Sequence, residues 1–268
     1  MTRLFFIGAG KMATAIAGGL VRSGCFQAEE LKAYDISPQA AELFEKSTGV
    51  RCFSGEFCEA ELEASRAVLL AVKPQYLTEA LTGYKSILES KLIISIAAGV
   101  TLSQLYDLTD STRIVRVMPN TPALIARGCA AAAMTDGVTA EERATVEQIF
   151  SSVGSFAVVE ERRLNAVTGL AGSGPAYVFE FIQALADGGV AEGLPRELAL
   201  DLAARTVAGA AEMVIQTRQH PAVLCDQVAS PAGTTIRGLE RLARMGFKGA
   251  VMAAVRSGAA RAEELGKS

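Results

Sequence analysis

From Leu4 to Met118 the chain alternates short, mostly apolar runs with longer stretches of helical periodicity. No other feature narrows its fold as far. The runs Leu4–Ile7, Leu31–Asp35, Val50–Phe53, Ala67–Val72, Leu92–Ile96 and Ile114–Met118 read as strands. The stretches Lys11–Ser23, Pro38–Ser47 and Gln75–Leu88 read as helices between them. A strand with one wet face alternates apolar and polar residues. A strand without alternation is buried on both faces, as in a parallel sheet sandwiched between helices. The pattern predicts a doubly wound α/β domain over residues 1–160.

The texture changes after about Val159, and from Arg162 onward no strand pattern is found. Pro175 and Pro195 stand where helices can begin, because the first helical turn does not use proline's missing N–H. Leu198–Ile215 is alanine-rich, with Asp201, Arg205 and Glu212 as its only charges. A helix without a continuous polar face is covered on more than one side. The expectation is an all-α domain over residues 161–268 that joins copies of the chain into a homo-oligomer. A central helix in a monomeric bundle would read the same way.

Composition excludes several functions. Half of the residues are apolar and 21% are charged, which suits a folded protein. The net charge of −3, with signs interspersed, offers no footprint for nucleic acid or for an anionic membrane. No apolar run approaches the roughly 20 residues that cross a bilayer. Leu4–Ile7 is interrupted at once by glycines and Lys11, unlike a signal peptide. The cysteines are Cys25, Cys52, Cys58, Cys129 and Cys225, an odd set without CxxC spacing. With His220 as the sole histidine, and read as a loop residue before Pro221, no metal site is expected. Reduced thiols in a cytoplasm are the simplest reading.

Ile7-Gly8-Ala9-Gly10-Lys11-Met12-Ala13 follows the first strand and opens the first helix, in the pattern GxGxxA. Gly8 permits the tight turn, Gly10 lets backbone approach a pyrophosphate, and Ala13 lets helix and strand pack closely. The helix start then turns free amides toward the phosphates. The α/β half is thereby predicted to be a Rossmann-like domain that binds NADH or NADPH. Asp35 ends the second strand. It either holds a ribose 2′-hydroxyl, which favours NAD, or is a turn acid before Pro38. Ser37 can instead meet a 2′-phosphate. Ala71-Val72-Lys73-Pro74 and Ala97-Ala98-Gly99 follow later strands, at the edge where an open sheet binds its ligand. Asn120, between Pro119 and Pro122, either turns its amide toward the nicotinamide or satisfies turn backbone.

Two segments of the second half stand out: Gly169-Leu170-Ala171-Gly172-Ser173-Gly174-Pro175-Ala176-Tyr177 and Ser230-Pro231-Ala232-Gly233-Thr234-Thr235-Ile236. With Met118–Pro122, Ala71–Pro74, Ile94–Thr101 and Gly193–Arg196, they resemble the pyrroline-5-carboxylate reductases, from Phe6 to about Glu264. The resemblance implies reduction of 1-pyrroline-5-carboxylate to L-proline by NADPH or NADH, and a helical domain that interlocks two subunits. It also implies that the loop from Ser230 to Thr235 takes the substrate carboxylate. The amides of Gly233, Thr234 and Thr235 would hold it, with the catalytic Thr235 hydroxyl near the ring nitrogen. Independently, a proline–glycine turn followed by Thr-Thr and a helical pattern builds a helix start. That start suits an anion and also suits ordinary threonine capping.

The chain departs from the family pattern at four places. Ala232 stands where a second glycine is usual, and Asn165 where aspartate is common. Asp35 is unusual for a member that prefers NADPH, and Lys11 replaces a polar neutral residue. Two other functions compete with this one. A β-hydroxyacid dehydrogenase shares the glycine motif but needs a lysine at GxGxxxK spacing. After Gly172-x-Gly174 that place is Val178, which leaves alcohol chemistry without its base. A non-catalytic dinucleotide sensor has no use for a second anion-binding helix start. Arg237, Arg241 and Arg244 read as a solvated helix face.

Overall fold

The computed structural model describes residues 3–267, with Lys267 as backbone only. The chain forms two compact units. The first runs to Ser173 and takes in the stretch from Ser257; the second is Gly174–Arg256.

The first unit is built on an eight-stranded sheet in the order β3-β2-β1-β4-β5-β6-β7-β8. The strands are β1 Leu4–Ile7, β2 Leu31–Tyr34, β3 Cys52–Phe53, β4 Ala67–Leu70, β5 Leu92–Ser95, β6 Ile114–Met118, β7 Gly128–Met134 and β8 Gly154–Val158. β1 to β6 run parallel, with Leu4 in register with both Leu31 and Ala67. β1, β4 and β5 are buried at every residue, as uniformly apolar runs require. The helices α1 (Lys11–Arg22), α2 (Pro38–Thr48), α3 (Glu59–Ala64), α4 (Leu77–Leu81), α5 (Lys85–Leu88), α6 (Leu102–Thr109), α7 (Ala140–Ser151) and α8 (Leu164–Val167) connect them. Several start at side-chain caps, which satisfy amides that lack an intrahelical partner. The Ser37, Thr101 and Thr139 hydroxyls accept from Ala40, Gln104 and Glu142 N–H.

The structure differs from the sequence expectations in several places, including a fourth strand that ends at Leu70 rather than Val72. The single helix expected over Gln75–Leu88 is a 3-10 turn, Pro74–Tyr76, followed by α4 and α5, with Gly83 between them at φ 90°. A left-handed residue cannot continue a right-handed helix. The third strand shortens from Val50–Phe53 to Cys52–Phe53. β7 and β8 carry no strand pattern in the sequence, and β7 lies antiparallel to β6. β7 reads Gly-Cys-Ala-Ala-Ala-Ala-Met, without the β-branched residues that mark strands. His220 is not a plain loop residue: its Nδ1 accepts from Ala222 N–H at 3.2 Å and caps a helix.

The second unit is helical: α9 Gly174–Ala191, α10 Arg196–Thr217, α11 Pro221–Val228, α12 Thr234–Arg244, and the start of α13, Phe247–Lys267. α9 and α10 approach closely through small residues, and a Cβ on Gly189 would stand 3.3 Å from the Ala199 Cβ. The only apolar residues this unit buries fully, among the described residues, are Ala186, Ala199 and Ala203. Larger ones stay open, among them Phe179, Leu202, Met213 and Ile215.

Candidate active site

The expected cofactor residues of the first unit gather at the carboxyl ends of β1, β2, β4, β5 and β6. The sequence order of the strands reverses between β1 and β4, where an open sheet forms its ligand crevice. The turn after β1 is dictated by Gly8. Its φ is 102°, and a Cβ there would lie 2.8 Å from the Ala71 carbonyl carbon. Glycine is therefore demanded twice, by conformation and by the backbone after β4. Gly10 differs: a Cβ there would meet nothing within 4 Å. The fold does not need that glycine, and its exposed face leaves room for a group to lie against the turn. Ile7 and Ala9 are buried, Lys11 is exposed and Met12 is half-buried.

Asp35 is tied to this turn. One carboxylate oxygen accepts from Ala9 N–H at 2.7 Å and the other from Ser37 N–H at 2.9 Å. The Ser37 hydroxyl caps α2. Ala71 N–H donates to the Ile7 carbonyl at 2.8 Å, while Lys73 and Pro74 stay exposed. After β5, Ala97 is buried and Ala98 is exposed. Gly99, at φ 83°, lies under Leu265, and a Cβ on it would stand 3.2 Å from the Leu265 Cβ.

Asn120 serves the protein's own backbone. Its Oδ1 accepts from Cys129 N–H at 2.8 Å and its Nδ2 donates to the Ala171 carbonyl at 3.1 Å. Both partners lie outside the Met118–Pro122 turn, so neither of its sequence readings named them. The segment it reaches, Thr168–Gly172, is a π-helical turn closed by Ser173 N–H on the Thr168 carbonyl. The Met118 methyl occupies the place of a Cβ on Gly172, so a larger residue there would have to displace the end of that side chain.

Sequence reasoning missed a buried charge. Arg116, inside β6, is 7% exposed and pairs with Glu161 at 3.0 Å. The same carboxylate oxygen accepts from Leu102 N–H, the first residue of α6. A lone arginine in the apolar run Ile114–Met118 was the available signal, since buried arginines are almost always paired.

In the second unit, the loop before α12 holds Ala232 at φ 57°. That left-handed conformation favours glycine and strains alanine. The Ser230 hydroxyl fills the place of a Cβ on Gly233, so any larger residue there would force Ser230 to turn away. Gly233 caps α12 with φ −72° and ψ 178° and makes no side-chain cap bond. Gly10 caps α1 with φ −72° and ψ 179°, also without one. The two helix starts expected to meet anions thus share one backbone conformation and leave their first helical amides open, although the Gly233 N–H itself donates to the Ser230 carbonyl at 3.1 Å. Among the described residues, no hydrogen bond engages the Thr234 or Thr235 hydroxyls. Among the same residues, no cluster of His, Cys, Asp or Glu is placed to hold a metal, and no helix is long and apolar enough to cross a membrane. All five thiols are free.

Comparison with known proteins places these features in a family. Residues 161–265 match the model for pyrroline-5-carboxylate reductase dimerisation, and residues 3–99 match that for NADP oxidoreductase, coenzyme F420-dependent. The pyrroline-5-carboxylate reductase of Arabidopsis thaliana is 46% identical over 98% of this chain and 95% of its own. The pyrroline-5-carboxylate reductase structure from Coxiella burnetii superposes with a TM-score of 0.92 at 31% identity, covering 100% of this chain and 99% of its own. The Plasmodium falciparum pyrroline carboxylate reductase with NADP bound has a TM-score of 0.88 at 33% identity, covering 99% and 98%.

Proposed function

This chain belongs to the pyrroline-5-carboxylate reductase family, and on that premise we propose how its own residues carry the reaction. It is an NAD(P)H-dependent oxidoreductase that reduces 1-pyrroline-5-carboxylate to L-proline, with hydride added at the imine carbon. When bound, the reduced nicotinamide supplies that hydride.

The observation that carries the residue assignment is the pair of matching, uncapped glycine helix starts. In our reading, the amides at the start of α1 take the cofactor's pyrophosphate, with Gly10 giving room for it. Asp35, fixed by Ala9 and Ser37, takes the ribose 2′-hydroxyl. No lysine or arginine lies between Asp35 and Glu45 to receive a 2′-phosphate, so we expect NADH to be favoured over NADPH. The amides of Thr234 and Thr235 take the substrate carboxylate, while the third expected donor, the Gly233 N–H, is held by the Ser230 carbonyl. The Thr235 oxygen accepts a hydrogen bond from the protonated ring nitrogen and keeps its proton in place. A protonated imine already draws hydride, so the protein's part is chiefly positioning, which can supply much of the acceleration. No strong acid–base pair is needed.

Oligomerisation fits the second unit. A helical unit whose fully buried apolar residues are three alanines lacks a core of its own, and its open leucines, methionines and Phe179 await cover. We assign that cover to a second copy, through the C-terminal helices. The direct test mixes purified protein with 1-pyrroline-5-carboxylate and follows reduced-nicotinamide absorbance with NADH and with NADPH. Rapid loss is expected, faster with NADH at equal concentration. Absence of loss with either, from protein that still binds dinucleotide, would refute the substrate assignment.

A further inference from the structure

The amino-terminal edge of the sheet, opposite the glycine turn, carries a row of cations. Arg3, Arg66, Lys91 and Arg113 immediately precede β1, β4, β5 and β6, and these four strands are consecutive neighbours in the sheet. Neighbouring strands lie about 4.8 Å apart, so the row sets like charges side by side. The two ends are answered by carboxylates: Arg3 pairs with Glu30 at 3.3 Å and Arg113 with Glu142 at 2.7 Å. The middle two form no ion pair among the described residues, although the Glu63 carboxylate acts on Lys91 from further off. Among the described residues, the Lys91 ammonium donates only to the Glu63 and Ser65 carbonyls, at 2.6 and 2.8 Å. The exposed Arg66 guanidinium has no hydrogen-bond or ion-pair partner among the described residues.

All four cations line one cavity of about 490 Å³, with Glu141 and Glu142 of the first turn of α7 on its wall. That volume lies within the roughly 300–1,000 Å³ of small-molecule sites. Burial holds the Lys91 ammonium below its ordinary pKa; Glu63 opposes that effect and Arg113 adds to it. An anion in the cavity would offset both the burial of the Lys91 ammonium and its repulsion by Arg113.

We infer that this cavity binds a phosphate-bearing small molecule, with its oxyanion held between Arg66 and Lys91. Two adjacent cations that form no ion pair among the described residues match a doubly charged oxyanion, and a guanidinium suits phosphate geometry. Glu141 offers an acceptor for hydroxyl or amino groups on the same ligand. The length of β1 and β4, about 13 Å, separates this cavity from the glycine turn, so it is distinct from the dinucleotide crevice and independent of the reaction assigned above.

The test titrates inorganic pyrophosphate into the full-length protein saturated with NADPH, which keeps the glycine turn occupied, and records heat. One saturable event per chain is expected, weakened roughly tenfold by Arg66→Ala and largely kept by Arg66→Lys. Because Arg66 is exposed and unpartnered, Arg66→Ala should unfold at the parent temperature, which separates lost binding from lost fold. Tighter binding of ATP than of pyrophosphate would identify a nucleotide as the ligand; weaker binding would identify a compact phosphate. Absence of saturable heat, or equal affinity in the parent and Arg66→Ala, overturns the proposal.

Discussion

The Asn120 side-chain amide donates to the Ala171 carbonyl at 3.1 Å, where a continuing helix would have used the N–H that Pro175 lacks. Its oxygen meanwhile accepts from Cys129 N–H, which extends the β6–β7 register beyond Met118↔Ala131, while the Asn120 carbonyl turns to Ala123 N–H. One buried side chain therefore completes two broken backbone patterns. Asn120→Ala would leave both groups unsatisfied, at about 1–3 kcal/mol each. Pro175→Ala restores a donor near Ala171, so the loss from Asn120→Ala should be smaller in that background. Urea unfolding of the four proteins measures the coupling. Equal losses in both backgrounds would show that Pro175 is not the reason for the bond.

Gly8 and Gly10 should fail differently. Gly8→Ala places a methyl group against the Ala71 backbone at a positive φ, so it should cost several kcal/mol of stability and is expected to reduce expression of folded protein. Gly10→Ala meets open space, so its thermal midpoint should stay near that of the parent while dinucleotide affinity falls. Calorimetry and cofactor titration separate the two. Unchanged affinity in Gly10→Ala would remove this turn from phosphate binding.

Asp35→Ala should lower kcat/KM with NADH more than with NADPH, because it deletes an acceptor for the 2′-hydroxyl and a repulsive charge for the 2′-phosphate. Part of the loss will be common to both cofactors, since Asp35 also holds Ala9 N–H. An equal effect on the two would reduce Asp35 to a brace for the glycine turn.

Thr235→Ala should lower kcat about tenfold or more, as expected for loss of a hydrogen bond to a charged group, and leave cofactor affinity unchanged. Thr235→Ser keeps the oxygen and should recover most of the rate. If the serine variant is as slow as the alanine variant, the hydroxyl is not the working group.

Cys52 should resist alkylation. Burial foremost, with Asp35 and Glu45 nearby, pushes its thiol up to about 12, while a hydrogen bond with the Asp35 backbone lowers it. The unfolded thiol ionises near 9, so its protonated form favours the folded state fully below that pH, and the contribution is lost as pH rises from about 9 toward 12. Iodoacetamide mapping at pH 8.5 or so should label the exposed Cys129 well before Cys52. Equal rates would mean that Cys52 is not held in a desolvated site.

The residues of the glycine turn and the strand runs were legible because short-range physics dictates them. A left-handed Gly8, a small Ala13 against the sheet, and uniformly apolar β1, β4 and β5 each leave a local mark in sequence. The loop at Ser230–Thr235 was legible for the same reason: Gly233 and the two threonines make a helix start from local geometry alone.

What escaped the sequence depends on partners distant along the chain. β7 is a strand although its alanines have little β preference, because β6 and β8 offer it two ladders. Asn120 works on Ala171, 51 residues away, and Arg116 on Glu161, 45 residues away. The cation row exists only because the sheet sets β1, β4, β5 and β6 side by side. The sequence by itself determined the alternation of elements, the two glycine-capped helix starts and the family. Tertiary structure alone decided which polar groups meet, because a buried donor or charge takes whatever partner the packed fold brings within hydrogen-bond reach.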